Sequence, residues 1–207
     1  MKHIAILLLT LIGTTSLPSG ADTKPDAAAQ FVTVLKDAAL NLFEKMPNED
    51  EARTAEVCKL IDSSVDLEKM ANFSLGRLKS KFSTEQQTEF NQVFRSMLAS
   101  IFDLAFQRLQ NSEVLVDPVS KALEDGYVVN VTVEPKNNRS PSRLQFFVSH
   151  PTEEKYLLFD ASLNGLRIML AKRAEFEGVI NDAENVKVGS GPQALIDDLR
   201  QSNTPCP

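Results

Sequence analysis

The most prominent pattern in the chain is a helical repeat of apolar residues between Phe90 and Leu109. These residues recur every three or four positions, which places them on one side of an α-helix. At about 100° per residue they cover roughly 200° of the helix, whereas a surface helix needs an apolar stripe only a little over ~100° wide. We therefore expect more protein, a partner or an apolar ligand to cover the excess. The apolar positions are Phe90, Val93, Phe94, Met97, Leu98, Ile101, Phe102, Leu104, Ala105, Phe106 and Leu109.

Shorter helical patterns precede this long helix. Apolar residues at helical spacing predict one helix over 31–45, a second over 51–61 and a third over 67–78. The sequence Ser83-Thr84-Glu85-Gln86 fits a capping box, in which the first and last side chains each bond the other's backbone amide. The long helix is therefore predicted to begin there and to run to about Gln110.

After Asn111 the apolar period changes from 3.6 residues to 2, which indicates β-strands. Four strands are predicted, near 114–118, 127–133, 143–148 and 156–163. Short connections between them favour an antiparallel meander. The helical period returns over 166–180 and 193–200.

This order of elements predicts one α+β domain over 31–200 with a tail over 201–207. In that fold the N-terminal helices and the long helix pack on a curved, four-stranded, mostly antiparallel sheet, and helices follow at the C-terminal end. The apolar faces of the sheet and of the long helix predict either a closed core or an apolar slot between the sheet and the helices.

The first residues have the composition of a secretory signal. Lys2 precedes an apolar run over 4–12 that is too short to span a bilayer, and small residues follow up to Ala21. We expect cleavage after Ala21, so that residues 1–21 are removed and 22–30 form a flexible leader. The mature protein is then expected to be soluble and exported across the membrane; the periplasm as its destination is implied only by the resemblance described below.

Composition and charge restrict the classes of partner. The chain has 28 acidic and 22 basic residues, a net charge of −6. A nucleic-acid-binding protein normally carries a basic excess or a basic stripe, so no nucleic-acid partner is expected. We expect a monomer.

After export, the two cysteines, Cys58 and Cys206, would be in an oxidising compartment, where disulfides form. A disulfide between them would hold the C-terminal tail against the second predicted helix. The alternative is a buried thiol and a tail thiol that never meet.

The residues that catalysis would need are few. Because His3 lies in the predicted signal, His150 is the one histidine expected in the mature chain, and it is followed by Pro151 at the end of a strand. Metal ligation needs clustered His, Cys or carboxylate side chains, and the acidic runs have the character of solvated surface. Neither an enzyme nor a metal site is therefore expected.

Two stretches of the chain carry a series of motifs. The first contains Asp66, Leu75-Gly76, Ser83-Thr84-Glu85-Gln86, Phe90 and Phe94. The second contains Phe159-Asp160, Asn164-Gly165-Leu166, Arg173 and Phe176. In order and spacing they resemble the toluene-tolerance, or MlaC-like, family of periplasmic phospholipid carriers from Gram-negative bacteria. The resemblance extends over about 31–200.

The resemblance implies binding without chemistry and without a cofactor, with phospholipid as cargo between the sheet and the long helix. It also implies two partners, an outer-membrane lipoprotein–porin complex and an inner-membrane ABC-type lipid transporter, in a system that maintains outer-membrane lipid asymmetry. A periplasmic chaperone or adaptor without a lipid is the alternative. The expected acyl-chain slot consists of Phe94, Met97, Leu98, Ile101, Phe102, Val129, Val131, Phe146, Val148 and Met169.

Asp160 and Arg173 are a candidate charged pair. They either form an internal ion pair that holds the last long helix to the sheet or contact a headgroup or partner.

Overall fold

The computed structural model describes residues 24–48, 50–109, 111–118, 120–124, 126–137, 140–152, 154–186 and 189–207. The predicted secretory signal over 1–21 and its cleavage after Ala21 lie outside these residues.

Helices form the first half of the domain. They are α1 (Lys24–Lys45), α2 (Glu51–Ser64), α3 (Leu67–Leu75), a 3₁₀ helix (Gly76–Lys81) and α4 (Thr84–Leu109). The carboxylates of Asp50 and Asp66 accept hydrogen bonds from backbone amides in the first turns of α2 and α3. The predicted capping box at the start of α4 is confirmed, since Ser83 and Gln86 bond each other's backbone amides at 3.1 and 3.2 Å.

The first helix begins earlier than its apolar pattern predicts. The predicted flexible leader over 22–30 is wrong for residues 24–30, which form the first turns of α1. Ala28 and Ala29 are buried there, because their small side chains let α1 approach its neighbours closely. Alanine is also the strongest helix former. The periodicity of large apolar side chains does not detect a helix segment whose buried residues are alanines.

One antiparallel sheet forms much of the second half. Its strands are β1 (Ser112–Val116), β2 (Lys121–Leu123), β3 (Gly126–Pro135), β4 (Ser142–Thr152), β5 (Lys155–Leu163) and β6 (Leu166–Arg167). The order is β1-β3-β4-β5-β6, and β2 also pairs with β3. The predicted α+β class is confirmed, but among the described residues the sheet has six strands and not four. Periodicity missed β2 and β6 because three and two residues are too few to alternate.

Two C-terminal helices, α5 (Ile168–Val186) and α6 (Gly191–Ser202), complete the fold. The helices α2, α3 and α6 pack on α4, while α1 lies against α2, α4, β1 and β3. As a result, α4 is enclosed from its start to just past its midpoint: Phe90, Phe94 and Leu98 are buried in one continuous core. Residues Ile101, Phe102 and Phe106 in the second half of α4 are only partly buried.

Candidate functional site

An apolar cleft lies between α1, the second half of α4 and one face of the sheet. Its volume is about 30 Å³. A single water needs about 10–15 Å³, so the cleft as it stands is a narrow seam. The residues that line it are Val32, Leu35, Lys36, Phe102, Phe106, Leu109, Val114, Val116, Val131, Leu144 and Phe146.

Three residues of the expected acyl-chain slot line this cleft, namely Phe102, Val131 and Phe146. Ile101 does not line the cleft; it is partly buried and packs on the core. The other six are buried residues of the closed core. These six are Phe94, Met97, Leu98, Val129, Val148 and Met169.

The remaining lining residues were not in the expected slot. Val114 and Val116 alternate on β1, and Leu144 lies on the same face of β4 as Phe146. Val32 and Leu35 come from α1. Strand periodicity predicts an apolar face that contains Val114, Val116 and Leu144, but nothing local to α1 indicates that it packs beside this part of the sheet.

Lys36 is the charged residue among those that line the cleft. Its ammonium group lies 2.9 Å from the carboxylate of Asp37, whose side chain is 64% exposed. The alkyl chain of Lys36 therefore lies along the apolar wall while its charge stays near water, as is usual for lysine at such a boundary. This geometry places a positive charge at the rim of the cleft.

The candidate pair of Asp160 and Arg173 does not form. Asp160 is fully buried and pairs instead with Arg167, whose Nε donates to Oδ2 at 2.6 Å. The other carboxylate oxygen, Oδ1, accepts from the amide of Met169 at 3.2 Å. Asp160 therefore neutralises Arg167 and also caps the start of α5, where a negative charge is favourable. The hairpin between β5 and β6 brings Arg167 back beside Asp160.

Arg173 has a different role, at the end of α3. It donates a hydrogen bond to the carbonyl of Phe73 and lies 5.0 Å from the centroid of that ring. It also passes Gly76, where an added Cβ would lie 2.8 Å from the Arg173 guanidinium carbon. The Leu75-Gly76 and Arg173 motifs, distant in sequence, thus meet in one contact.

A second, more polar cleft of about 580 Å³ lies where the ends of β3 and β4 meet the start of α3. His150 stacks on Tyr156 there, with ring centroids 4.8 Å apart. The single hydroxyl proton of Ser149 is shared between Asp66 at 3.2 Å and the carbonyl of Leu157 at 3.3 Å, and it is not donated to His150. This arrangement lacks the contact between a hydroxyl nucleophile and its base that catalysis by a serine requires. Burial, with Tyr127 as a lesser cause, raises the pKa of Tyr156 above its ordinary value of 10.0.

The C-terminal tail crosses the outer side of α4. A disulfide joins Cys58 of α2 to Cys206, with the two Cα atoms 5.8 Å apart. The amide of Cys206 donates to Ser96 at 3.0 Å, and Arg95 donates to the carbonyl of Pro207 at 3.3 Å. The tail is therefore linked to both α2 and α4.

Two kinds of feature were not found in the described part of the chain. No group of three or more His, Cys, Asp or Glu side chains is arranged to hold a metal ion. None of the described helices has both the length and the apolar character that crossing a bilayer requires.

Comparisons with protein families and with solved structures both found proteins similar to this chain. The model of the MlaC protein family matches residues 26–201. Among solved structures, the chain is similar to a phospholipid-binding protein from Ralstonia solanacearum, determined in complex with a phospholipid. The TM-score is 0.65 at 23% identity, and the match covers 84% of this chain and 95% of that one. A comparison with curated protein sequences found no match.

Proposed function

The chain belongs to the MlaC family, and from this premise we propose that it is a phospholipid-binding protein that holds acyl chains in the apolar cleft. The lining of that cleft supports the proposal, since it is apolar except for one lysine at its rim. Burial of each CH₂ group contributes about 0.8 kcal/mol, so two acyl chains supply ample affinity. The Ralstonia solanacearum protein of the same fold, solved with a phospholipid, supports it further.

The cleft must widen to accept acyl chains, because a volume of about 30 Å³ holds only two or three waters. In this proposal α1 is the wall that moves. It contributes Val32, Leu35 and Lys36 to the cleft and lies outside the sheet's hydrogen-bonded ladder. Displacing α1 therefore breaks side-chain packing and no strand pairing.

The position of Lys36 suggests how the headgroup is held. Its ammonium group lies at the rim of the cleft, beside an exposed carboxylate. A phosphate leaving the cleft at this rim would meet a positive charge while the acyl chains remain among apolar side chains.

A wider role is part of the proposal. The protein would carry phospholipid through the periplasm between an outer-membrane lipoprotein–porin complex and an inner-membrane ABC-type lipid transporter. Contact with either partner would open the cleft, since a tightly bound cargo leaves only if docking favours the open form. We expect no catalysis.

Organic extraction of the purified protein, followed by mass spectrometry, tests the proposal. We expect co-purifying phospholipid, and uptake of labelled phospholipid by protein stripped of its lipid. Protein that carries no phospholipid and fails to take up labelled phospholipid would rule out the carrier and favour a chaperone or adaptor.

A further inference from the structure

An apolar row crosses the sheet from the cleft to its outer edge. Cross-strand pairing joins Val116 to Val131, Val131 to Leu144, Leu144 to Leu163 and Leu163 to Leu166. Residues paired in this way project from the same face of an antiparallel sheet. The row therefore begins within the cleft, which Val116, Val131 and Leu144 line. It continues on the same face across β5 and β6.

Exposure increases along this row. Val131 is 2% exposed and Leu144 is partly buried, whereas Leu163 is 46% and Leu166 is 68% exposed. We call Leu163 and Leu166 the leucine edge. Large apolar side chains at a sheet edge lower solubility and invite aggregation, so their position calls for a physical reason.

The leucine edge is held in place by its turn. Asn164 and Gly165 connect the two strands with positive φ angles of 49° and 88°, as the tight two-residue hairpin turn requires. Asn164 also donates to the carbonyl of Arg143 at 2.8 Å and accepts from its amide at 2.9 Å. The hairpin is thus fastened to β4, and its leucines are presented to solvent by a rigid backbone.

We infer that the leucine edge is the outer part of the acyl-chain site, where a phospholipid acyl chain enters and leaves the cleft. This inference rests on the proposed function. The occupant is an acyl chain because the edge is continuous with the cleft and adds no charged side chain to the row. From Val131 to Leu166 the row spans three strand spacings, about 14 Å. A chain lying along it stays on apolar surface from solvent to the cleft.

Single tryptophan reporters test this inference, since the chain contains no tryptophan. Leu166→Trp reports on the leucine edge and Phe102→Trp on the cleft. Leu104→Trp is the matched control, because Leu104 is 51% exposed but lies on the other side of α4, outside the cleft. Each variant is stripped of lipid, incubated with vesicles of phosphatidylcholine brominated on its acyl chains, and separated from the vesicles before its fluorescence is measured.

We expect Leu166→Trp and Phe102→Trp each to lose about half of their emission and Leu104→Trp to keep nearly all of it. Quenching of Phe102→Trp without quenching of Leu166→Trp would overturn the leucine edge and leave the proposed function intact. If neither is quenched and extraction also finds no phospholipid, the proposed function fails and the inference fails with it. Emission of Leu166→Trp that depends on protein concentration and not on lipid would make the edge a self-association surface.

A second pair of variants checks the role without a reporter. Leu163→Ser with Leu166→Ser removes apolar surface that is already exposed, so folding should survive. We expect slower uptake of labelled phosphatidylcholine, with Leu104→Ser unchanged. Equal uptake rates for the double serine variant and the wild-type protein would also contradict the inference.

Discussion

Asp160 and Arg167 form an ion pair across the β5–β6 hairpin, with Nε of the arginine 2.6 Å from Oδ2 of the aspartate. The guanidinium group lies between two aromatic rings, 4.0 Å from the centroid of Phe147 and 4.7 Å from that of Phe73. The buried carboxylate of Asp160 thereby links the sheet to the start of α5. Arg167, its ion-pair partner, also contacts Phe73 of α3. This contact holds Phe73 of α3 beside the hairpin.

We predict that Asp160→Asn lowers the free energy of unfolding by about 3 kcal/mol, because it leaves the Arg167 charge unpaired. Urea unfolding followed by circular dichroism measures this loss. Asp197→Asn is the control, since Asp197 pairs with Arg200 at the surface and exposed pairs contribute ~0–1 kcal/mol. Equal losses in the two variants would contradict a central role for Asp160.

Substitution of Gly76 should also destabilise the fold. At φ 53° and ψ −127° it has a backbone conformation that suits glycine, and an added Cβ would meet the Arg173 guanidinium. We expect Gly76→Ala to lower the free energy of unfolding by about 1–3 kcal/mol. Gly178→Ala is the matched control within α5, where an added Cβ meets nothing within 4 Å. That change should stabilise the helix by about 0.5–1 kcal/mol, so the two variants should differ in sign.

Filling the cleft should reduce phospholipid loading. Leu144→Trp replaces a leucine side chain with a bulky indole ring in a cleft of about 30 Å³. Because Leu144 is not fully buried, the fold should tolerate the substitution. Leu115→Trp is the control, because Leu115 lies between two cleft residues on β1 and projects from the other face. Quantitative mass spectrometry of extracted lipid should find a clear loss for Leu144→Trp alone. Normal loading of Leu144→Trp would place the lipid elsewhere.

The disulfide should be detectable in solution. We expect protein unfolded without a reductant to show no free thiol, whereas two thiols would exclude the bridge between Cys58 and Cys206. We also expect the Cys206→Ala variant to lose about 2–4 kcal/mol of unfolding free energy, mainly because the unfolded chain is no longer constrained. Reduced wild-type protein should show a similar loss.

The raised pKa of Tyr156 predicts a decline of stability at alkaline pH. Below the unfolded value of 10.0 the phenol is neutral in both states and adds no pH dependence. Above it the unfolded state loses the proton first, so the free energy of unfolding falls as pH rises toward the folded pKa. Tyr156→Phe should make this decline shallower in urea titrations between about pH 9 and 11. Identical alkaline profiles for wild type and Tyr156→Phe would contradict the assignment.

Several elements could be predicted from local sequence because their causes are local. The capping box at Ser83 needs only residues in one turn, and the strand alternation of 127–133 is a property of that segment alone. The start of α1 was missed because Ala28 and Ala29 are buried through small size and not through a large apolar side chain. The two-residue strand β6 has no period to detect.

The ion-pair partner of Asp160 could not be chosen from sequence. Arg167 and Arg173 are both close to it along the chain, and the choice depends on a hairpin that turns Arg167 back toward β5. The same turn leaves Arg173 on α5, where it meets Phe73 and Gly76 of the first half of the chain. Which of two nearby cations a carboxylate meets is decided by the path of the backbone between them.

The sequence by itself determined that the helix around Phe94 and Phe102 has more apolar surface than one neighbour can cover, and its motifs indicated the family. Only the tertiary structure decided how that surface is divided. The first half of α4 is closed by α2, α3 and α6, while Phe102 in the second half faces a cleft that α1 and the sheet complete. The physical reason is that periodicity reports which side of an element avoids water. Which distant element covers that side depends on packing between residues far apart in the chain, such as Leu35 and Val131 on the two walls of the cleft.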